Sequence, residues 1–330
     1  MSLHRFPRLL TAFAVATSIT LGFIGIATAD QHEVATPGGS VPQATEEVPS
    51  TANRPLPEFF EGVRATGAGS SHTAITSGVD SLYQNPAGMA RAPMYILDSA
   101  FSYTPQGAIV GAGIADSKLN PDLAMAVSWN YFFGLDDHEH LSGHDARAGI
   151  GVPIIPEQVS IGAGIRYLRI TDESIPILDE DDDQLLINGV TFDAGINFRV
   201  ADTIHLGLRG QNLIDRCADD GRCRGSTPTR ITGGFGVGYE TTFLLSGETT
   251  LDLTSGPEPM FDFAVGGEYL MGYTVPLRVG FERRAFLDRN LLTFGIGWRS
   301  EQMGLDASYR HDVGELSEFG YLSGSISVYF

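Results

Sequence analysis

Lysine is almost missing from this chain. Lys118 is the single one in 330 residues, and 21 basic residues face 40 acids, for a formal net charge of -19. Such a chain repels phosphate, which excludes a nucleic-acid binder that works through a basic face. Cysteine is nearly as scarce, with Cys217 and Cys223 alone. Zinc usually takes four ligands, so this pair does not make a metal site by itself. Beyond residue 27 no apolar run approaches the roughly 18 residues of a membrane helix, which excludes a second one. Apolar residues are not scarce at 42%, and that excludes disorder along the whole chain.

The beginning assigns the compartment. Arg5 and Arg8 precede an uncharged apolar stretch from Leu9 to Ala27, which closes with Ala27-Thr28-Ala29 before Asp30. A basic start, an apolar middle and an A-x-A end make residues 1–29 a secretory signal peptide; a retained anchor is the alternative. Residues 30–58 follow as a solvated Pro/Thr/Glu-rich tether, with prolines at 37, 42, 49, 55 and 57. Export agrees with a disulfide between Cys217 and Cys223, which flank a polar segment with a turn-forming Asp220-Gly221.

From residue 93 to the end one theme repeats. Leu292, Phe294, Ile296 and Trp298 alternate with Thr293, Gly295, Gly297 and Arg299; Val275, Leu277, Val279 and Phe281 alternate with Pro276, Arg278, Gly280 and Glu282. Period two means strands with one apolar face and one polar or glycine face. Fourteen such segments fall near 94–103, 107–115, 122–133, 144–153, 157–170, 187–200, 203–213, 229–240, 242–254, 260–270, 274–284, 289–299, 302–311 and 320–330. Most are long enough to cross a bilayer at a tilt, which takes about 9–11 residues, and longer than the usual soluble strand of about 5–6. Long and short connections alternate, as they do when strands run up and down between a turn side and a loop side. Only a closed barrel satisfies all backbone polar groups in lipid. The fold class expected is therefore all-β, a transmembrane antiparallel barrel of fourteen strands over 93–330. It belongs in the outer membrane of a Gram-negative-type bacterium, with both termini periplasmic. Trp129, Tyr131, Tyr239, Trp298 and Tyr309 fall near strand ends on the apolar face, as an aromatic girdle would.

The same alternation turns a set of charges inward: Arg147, Arg166, Arg199, Arg209, Arg278, Arg299 and Arg310 against Asp193, Glu248, Asp252, Asp262, Glu268, Glu282 and Asp306. A lumen of one sign selects ions; a balanced one points to internal pairing around a filled interior. A plug or ordered water would satisfy these charges, and the plug candidate is the segment 59–92 just before the first strand. Its Asn85-Pro86-Ala87-Gly88 box reads as a short helix start, with Asn85 as cap and Pro86 at the first position.

Residues 62–90, GVRATGAGSSHTAITSGVDSLYQNPAGMA, resemble the N-terminal signature of the FadL-type outer-membrane transporters and their relatives, including the PorV-type proteins of type IX secretion. That resemblance implies a hatch in a fourteen-stranded barrel, gated around Asn85, Pro86, Ala87 and Gly88. It implies passage of hydrophobic small molecules such as long-chain fatty acids, without catalysis and without a cofactor. The last strand, ending on Phe330, resembles the signal read by the barrel-assembly machinery. Partners expected are therefore that machinery, outer-membrane lipid or lipopolysaccharide, and the hydrophobic substrate. The PorV resemblance implies the alternative: a binding partner in a protein-secretion system.

Other groupings are weaker. His138, His140 and His144 sit among carboxylates in and beside one connection, and His-x-His spacing can chelate a divalent metal, although a solvated acidic loop explains it as well. Residues 171–184 carry seven acids but lack the glycine of a calcium loop. Ser70-Ser71-His72 and His205 find no third partner at a readable spacing, so no enzyme is expected.

Overall fold

The computed structural model describes residues 60–174, 185–214, 227–314 and 320–330. The signal peptide, the tether, the Cys217–Cys223 pair and most of the acidic 171–184 connection lie outside the described residues.

The alternating segments form fourteen strands: β1 (Tyr95–Thr104), β2 (Gly107–Asp116), β3 (Ala124–Gly134), β4 (Leu141–Ile155), β5 (Val159–Asp172), β6 (Leu185–Ala201), β7 (Ile204–Gln211), β8 (Arg230–Tyr239), β9 (Phe243–Asp252), β10 (Met260–Met271), β11 (Val275–Arg284), β12 (Arg289–Arg299), β13 (Met303–Asp312) and β14 (Tyr321–Tyr329). Each pairs antiparallel with its sequence neighbours. β1 also pairs with β14, Ile96 opposite Tyr329 through Tyr103 opposite Leu322, so the barrel has no free edge. β4 and β6 run longer than their alternation indicates and β7 is shorter, at eight residues.

Outward positions carry the large apolar side chains: Phe101, Trp129, Ile165, Phe192, Phe235, Phe263, Val279 and Phe294 are all exposed. A face this apolar is stable only against lipid. Inward positions carry small, polar and charged residues that are largely buried, including Thr191, Thr232 and Thr293. The short connections 156–158, 202–203, 240–242, 272–274 and 300–302 share one end of the barrel with the start of β1 and the finish of β14, the turn end. Most long connections gather at the other, the loop end, with residues 105–106 the short exception there.

Candidate functional site

The inside of the barrel is occupied by the chain that precedes β1. Two short helices, α1 (Val63–Gly67) and α2 (Ser81–Gln84), are followed by a 3-10 segment, Pro86–Arg91. Thr73, Ser81, Asn85 and Ala87 are wholly buried. The segment lies against the wall where the wall has no side chains. A β-carbon on Gly280 of β11 would overlap the Gly69 nitrogen, and one on Gly195 of β6 would overlap the Asn85 side-chain oxygen. Gly69 itself takes a positive φ of 69°, which an L side chain rarely adopts.

The Asn-Pro-Ala-Gly box is a capped helix start. Asn85 Oδ1 accepts from the Ala87 amide at 3.1 Å, and Pro86 occupies the first position. Asn85 Nδ2 donates to the Thr73 carbonyl at 2.9 Å, tying the box to the earlier part of the segment. The wall holds the box too: Ser160 Oγ donates to the Ala87 carbonyl at 2.9 Å, and Arg209 donates to the Tyr83 and Gln84 carbonyls.

Ion pairs anchor the rest. Glu268 receives Arg278 Nε at 2.6 Å, Arg64 Nε at 3.1 Å and Arg299 Nη2 at 3.5 Å, while Arg278 Nη1 also reaches Asp306 at 2.5 Å. Nearer the loop end, Glu61 receives Arg310 Nη2 at 2.7 Å, Arg284 Nη2 at 2.9 Å and Ser70 Oγ at 2.8 Å. Glu282 joins this group through Arg284 Nε at 2.6 Å. Across the barrel Asp145 receives both Arg147 at 2.9 Å and Arg166 at 3.0 Å, and Arg147 Nη1 donates to the Leu82 carbonyl at 3.1 Å. Glu248 accepts from the Thr73 amide at 3.2 Å and lies 3.5 Å from Arg209.

Not all fourteen inward charges touch the internal segment. Asp193 accepts from the Asn212 amide, Asp252 pairs with Arg230, and Asp262 accepts from the Ala285 amide, so these three brace the loop end. Arg199 is exposed at the turn end, beside Asp202 at 3.4 Å, because β6 is passing into its turn there. Among the charges grouped around the internal segment, four are absent from that inward set. Asp145 and Arg284 have the parity of Arg147 and Glu282 and were legible from the alternation. Glu61 and Arg64 lie in or beside the glycine-rich motif, where nothing in the sequence names their wall partners.

Burial alone would raise the Glu61 carboxyl; Arg284 and Arg310 outweigh it and hold it well below the usual carboxylate range. Asp80, in the same internal segment, goes the other way: burial, reinforced by Asp98, pushes it up to about 7. A carboxyl that holds its proton more tightly when folded contributes stability below its ordinary value of 3.8, lost as pH rises through about 7. The barrel is therefore expected to lose heat resistance between about pH 4 and pH 7 through Asp80. Glu61 acts in a separate window, below its ordinary 4.5. Thermal melts at pH 4 and pH 8 check this: the difference between the two should be smaller in D80N than in the wild type.

One sector of the lumen differs from the rest. At the loop end of β2–β6, Ile109, Phe132, Leu141, Leu168, Ile170, Leu186 and Ile187 form a buried apolar cluster. Nearer the turn end, Val79, Leu82, Tyr83, Met89, Ile96, Ala115, Ala124 and Ala126 form another. Phe60 packs against both and meets the Tyr83 ring edge-on at 5.0 Å. The ion pairs of Glu61 and Glu268 lie on β10–β13, opposite. At the turn end a cavity of about 340 Å³ opens between the internal segment and the wall, lined in part by Met94, Arg91, Phe198, Arg199, His205 and Glu240.

The remaining motifs come apart. His138 and His140 stack at 6.4 Å in the β3–β4 connection, and His140 lies 3.7 Å from Asp172. His144 leaves them, on the outer face of β4 beside Tyr131. Among the described residues no three His, Cys, Asp or Glu side chains gather as a metal site. Ser70 Oγ is bound to Glu61, and Ser71 Oγ lies 2.7 Å from Ser246 Oγ.

No family model matches the chain, and no curated protein matches it in sequence. Solved structures match its architecture. A FadL homologue of Pseudomonas aeruginosa is 12% identical, with a TM-score of 0.53 over 81% of this chain and 97% of that one. The CymD monoaromatic hydrocarbon channel is 10% identical, with a TM-score of 0.55 over 81% and 98%. The deltaS2S3 mutant of the TodX monoaromatic hydrocarbon channel is 12% identical, with a TM-score of 0.55 over the same shares. The chain therefore has the fold of the FadL-type outer-membrane transporters.

Proposed function

We propose that this barrel is an outer-membrane channel that passes hydrophobic small molecules of the long-chain fatty-acid class inward, without catalysis. In this reading residues 59–92 are its hatch and the turn end faces the periplasm. The observation that carries it is the apolar sector of the lumen. Ion pairs hold the internal segment to β10–β13, and on the opposite side two apolar clusters meet at Phe60. An apolar solute arriving at the loop end exchanges contacts with Phe60 like for like; the charges in that sector, Asp145, Arg147 and Arg166, are already paired with one another. The neighbouring structures support the broader class, hydrophobic small molecules, since two are described as monoaromatic hydrocarbon channels and one as a FadL homologue.

A strain lacking the protein should take up labelled fatty acid more slowly, and the gene should restore the rate. Normal uptake, with secreted proteins held back in the cell, would instead support the secretion-partner reading. The hatch is checked separately. Asn85→Ala removes a cap and the bond to Thr73, a loss of about 1–2 kcal/mol. Leak of a small dye should rise roughly fivefold to thirtyfold if that loss falls on the closed state. Unchanged leak would remove the gate from residues 85–88.

A further inference from the structure

The outer wall carries few charges, and one of them has no ion-pair partner among the described residues. Arg169 projects outward from β5 and is exposed. Among the described residues no ion pair involves it, and Asp145 and Asp172 on β4 and β5 are both buried inside. Arg283, the outward arginine of β11, is by contrast paired with Asp288.

Arg169 belongs to a row. Across four strands the register places Tyr131, His144, Arg169 and Asn188 side by side. The His144 ring lies 5.0 Å from Tyr131 and 5.8 Å from Trp129, and its Nδ1 is buried, so donation outward falls to Nε2. Asn188 Oδ1 is fixed by the Tyr167 hydroxyl at 3.0 Å, which leaves its amide nitrogen to donate outward. A guanidinium, an imidazole and an amide thus stand in line on a lipid-facing wall, flanked by aromatic rings.

The height of the row names what it meets. Below Arg169 the outward residues of β5 are Tyr167, Ile165, Ala163, Ile161 and Val159. Ten residues at about 3.3 Å, tilted by about 40°, span about 25 Å, the thickness of a barrel's apolar band. Arg169 therefore sits at the upper edge of that band, at headgroup level.

We propose that this row is a docking site for the phosphate of a lipid headgroup in the leaflet at the loop end. Arg169 supplies the charge-assisted bonds, His144 and Asn188 add donors, and Trp129 and Tyr167 cover the start of the acyl chains. Committing to lipid rather than free phosphate follows from the apolar wall directly beneath the row. The site is independent of the lumen and of the transport reading.

Native mass spectrometry of the purified full barrel, offered phosphatidylglycerol or phosphatidylcholine in detergent, tests this. The anionic lipid should be retained in preference, and R169Q should lower its retention about fivefold, the effect of about one basic residue at a lipid surface. R169K should keep most of the binding and R283Q all of it. Excess inorganic phosphate should not displace the lipid. Equal retention by R169Q, or displacement by phosphate alone, would overturn the proposal. Preserved heat-modifiable migration on gels shows that each variant is folded.

Discussion

Replacing Glu268 by glutamine is expected to unseat the internal segment more than any other single charge change. Its carboxylate is 3% exposed and faces three guanidiniums, of Arg64, Arg278 and Arg299. An amide oxygen can still accept a hydrogen bond, but it neutralises nothing. Arg278, whose side chain is wholly buried, would keep Asp306 alone. Breaking one partner out of a buried ion pair costs about 3–5 kcal/mol, because the charge left behind has no water to recover. The loss falls on the joint between α1 and β10–β12, so the internal segment should loosen before the barrel wall opens. E268Q should therefore become cleavable by protease within 60–92 at a temperature where the wild-type segment is protected. The pair Arg283–Asp288 supplies the contrast: Asp288 is 88% exposed there, and R283Q should change stability by about 1 kcal/mol or less. Equal behaviour of the two variants would remove the anchoring role from Glu268.

That anchor shows what the sequence could and could not say. Glu268 was readable as an inward charge, because period two fixes the face of every residue once one apolar position is placed. The fourteen strands were readable for the same reason, since each alternation is local. Pairing across the lumen is not local. Arg284 and Arg310 stand 223 and 249 residues from Glu61, and alternation carries no information about which inward charge meets which. The helix start at Asn85 lay between these cases. Its cap is a contact over two residues, whereas its seat on β5 and β6 required the closed barrel. His144 shows the opposite error, in which closeness in sequence to His138 and His140 stood in for closeness in space. One step of strand parity turns it to the outer wall.

The glycines of the wall lead to the second large effect. In the alternation they read as a weak inward face, because glycine has no side chain to pack and costs strand stability. In the folded chain they are the seat itself. Gly266 and Gly280 on β10 and β11 lie directly against Ala68 and Gly69, where the room is less than a methyl group, and Gly295 on β12 lies against Gly67 with a tight but smaller conflict. Gly69 is fixed from its own side as well, since a β-carbon there would press on the Val265 and Phe281 backbones. Neither surface can give way by rotating a side chain, because both are main chain. Gly280→Val is therefore expected to push Ala68 and Gly69 off the wall, with a cost at or above the usual ~1–3 kcal/mol of overpacking. Dye leak through the variant should exceed that of Asn85→Ala. Gly233, on the outward face of β8, has open space where a β-carbon would go. Gly233→Val should leave leak unchanged and add contact with lipid. Were Gly280→Val as tight as the wild type, the close approach of wall and segment would not be what holds the lumen shut.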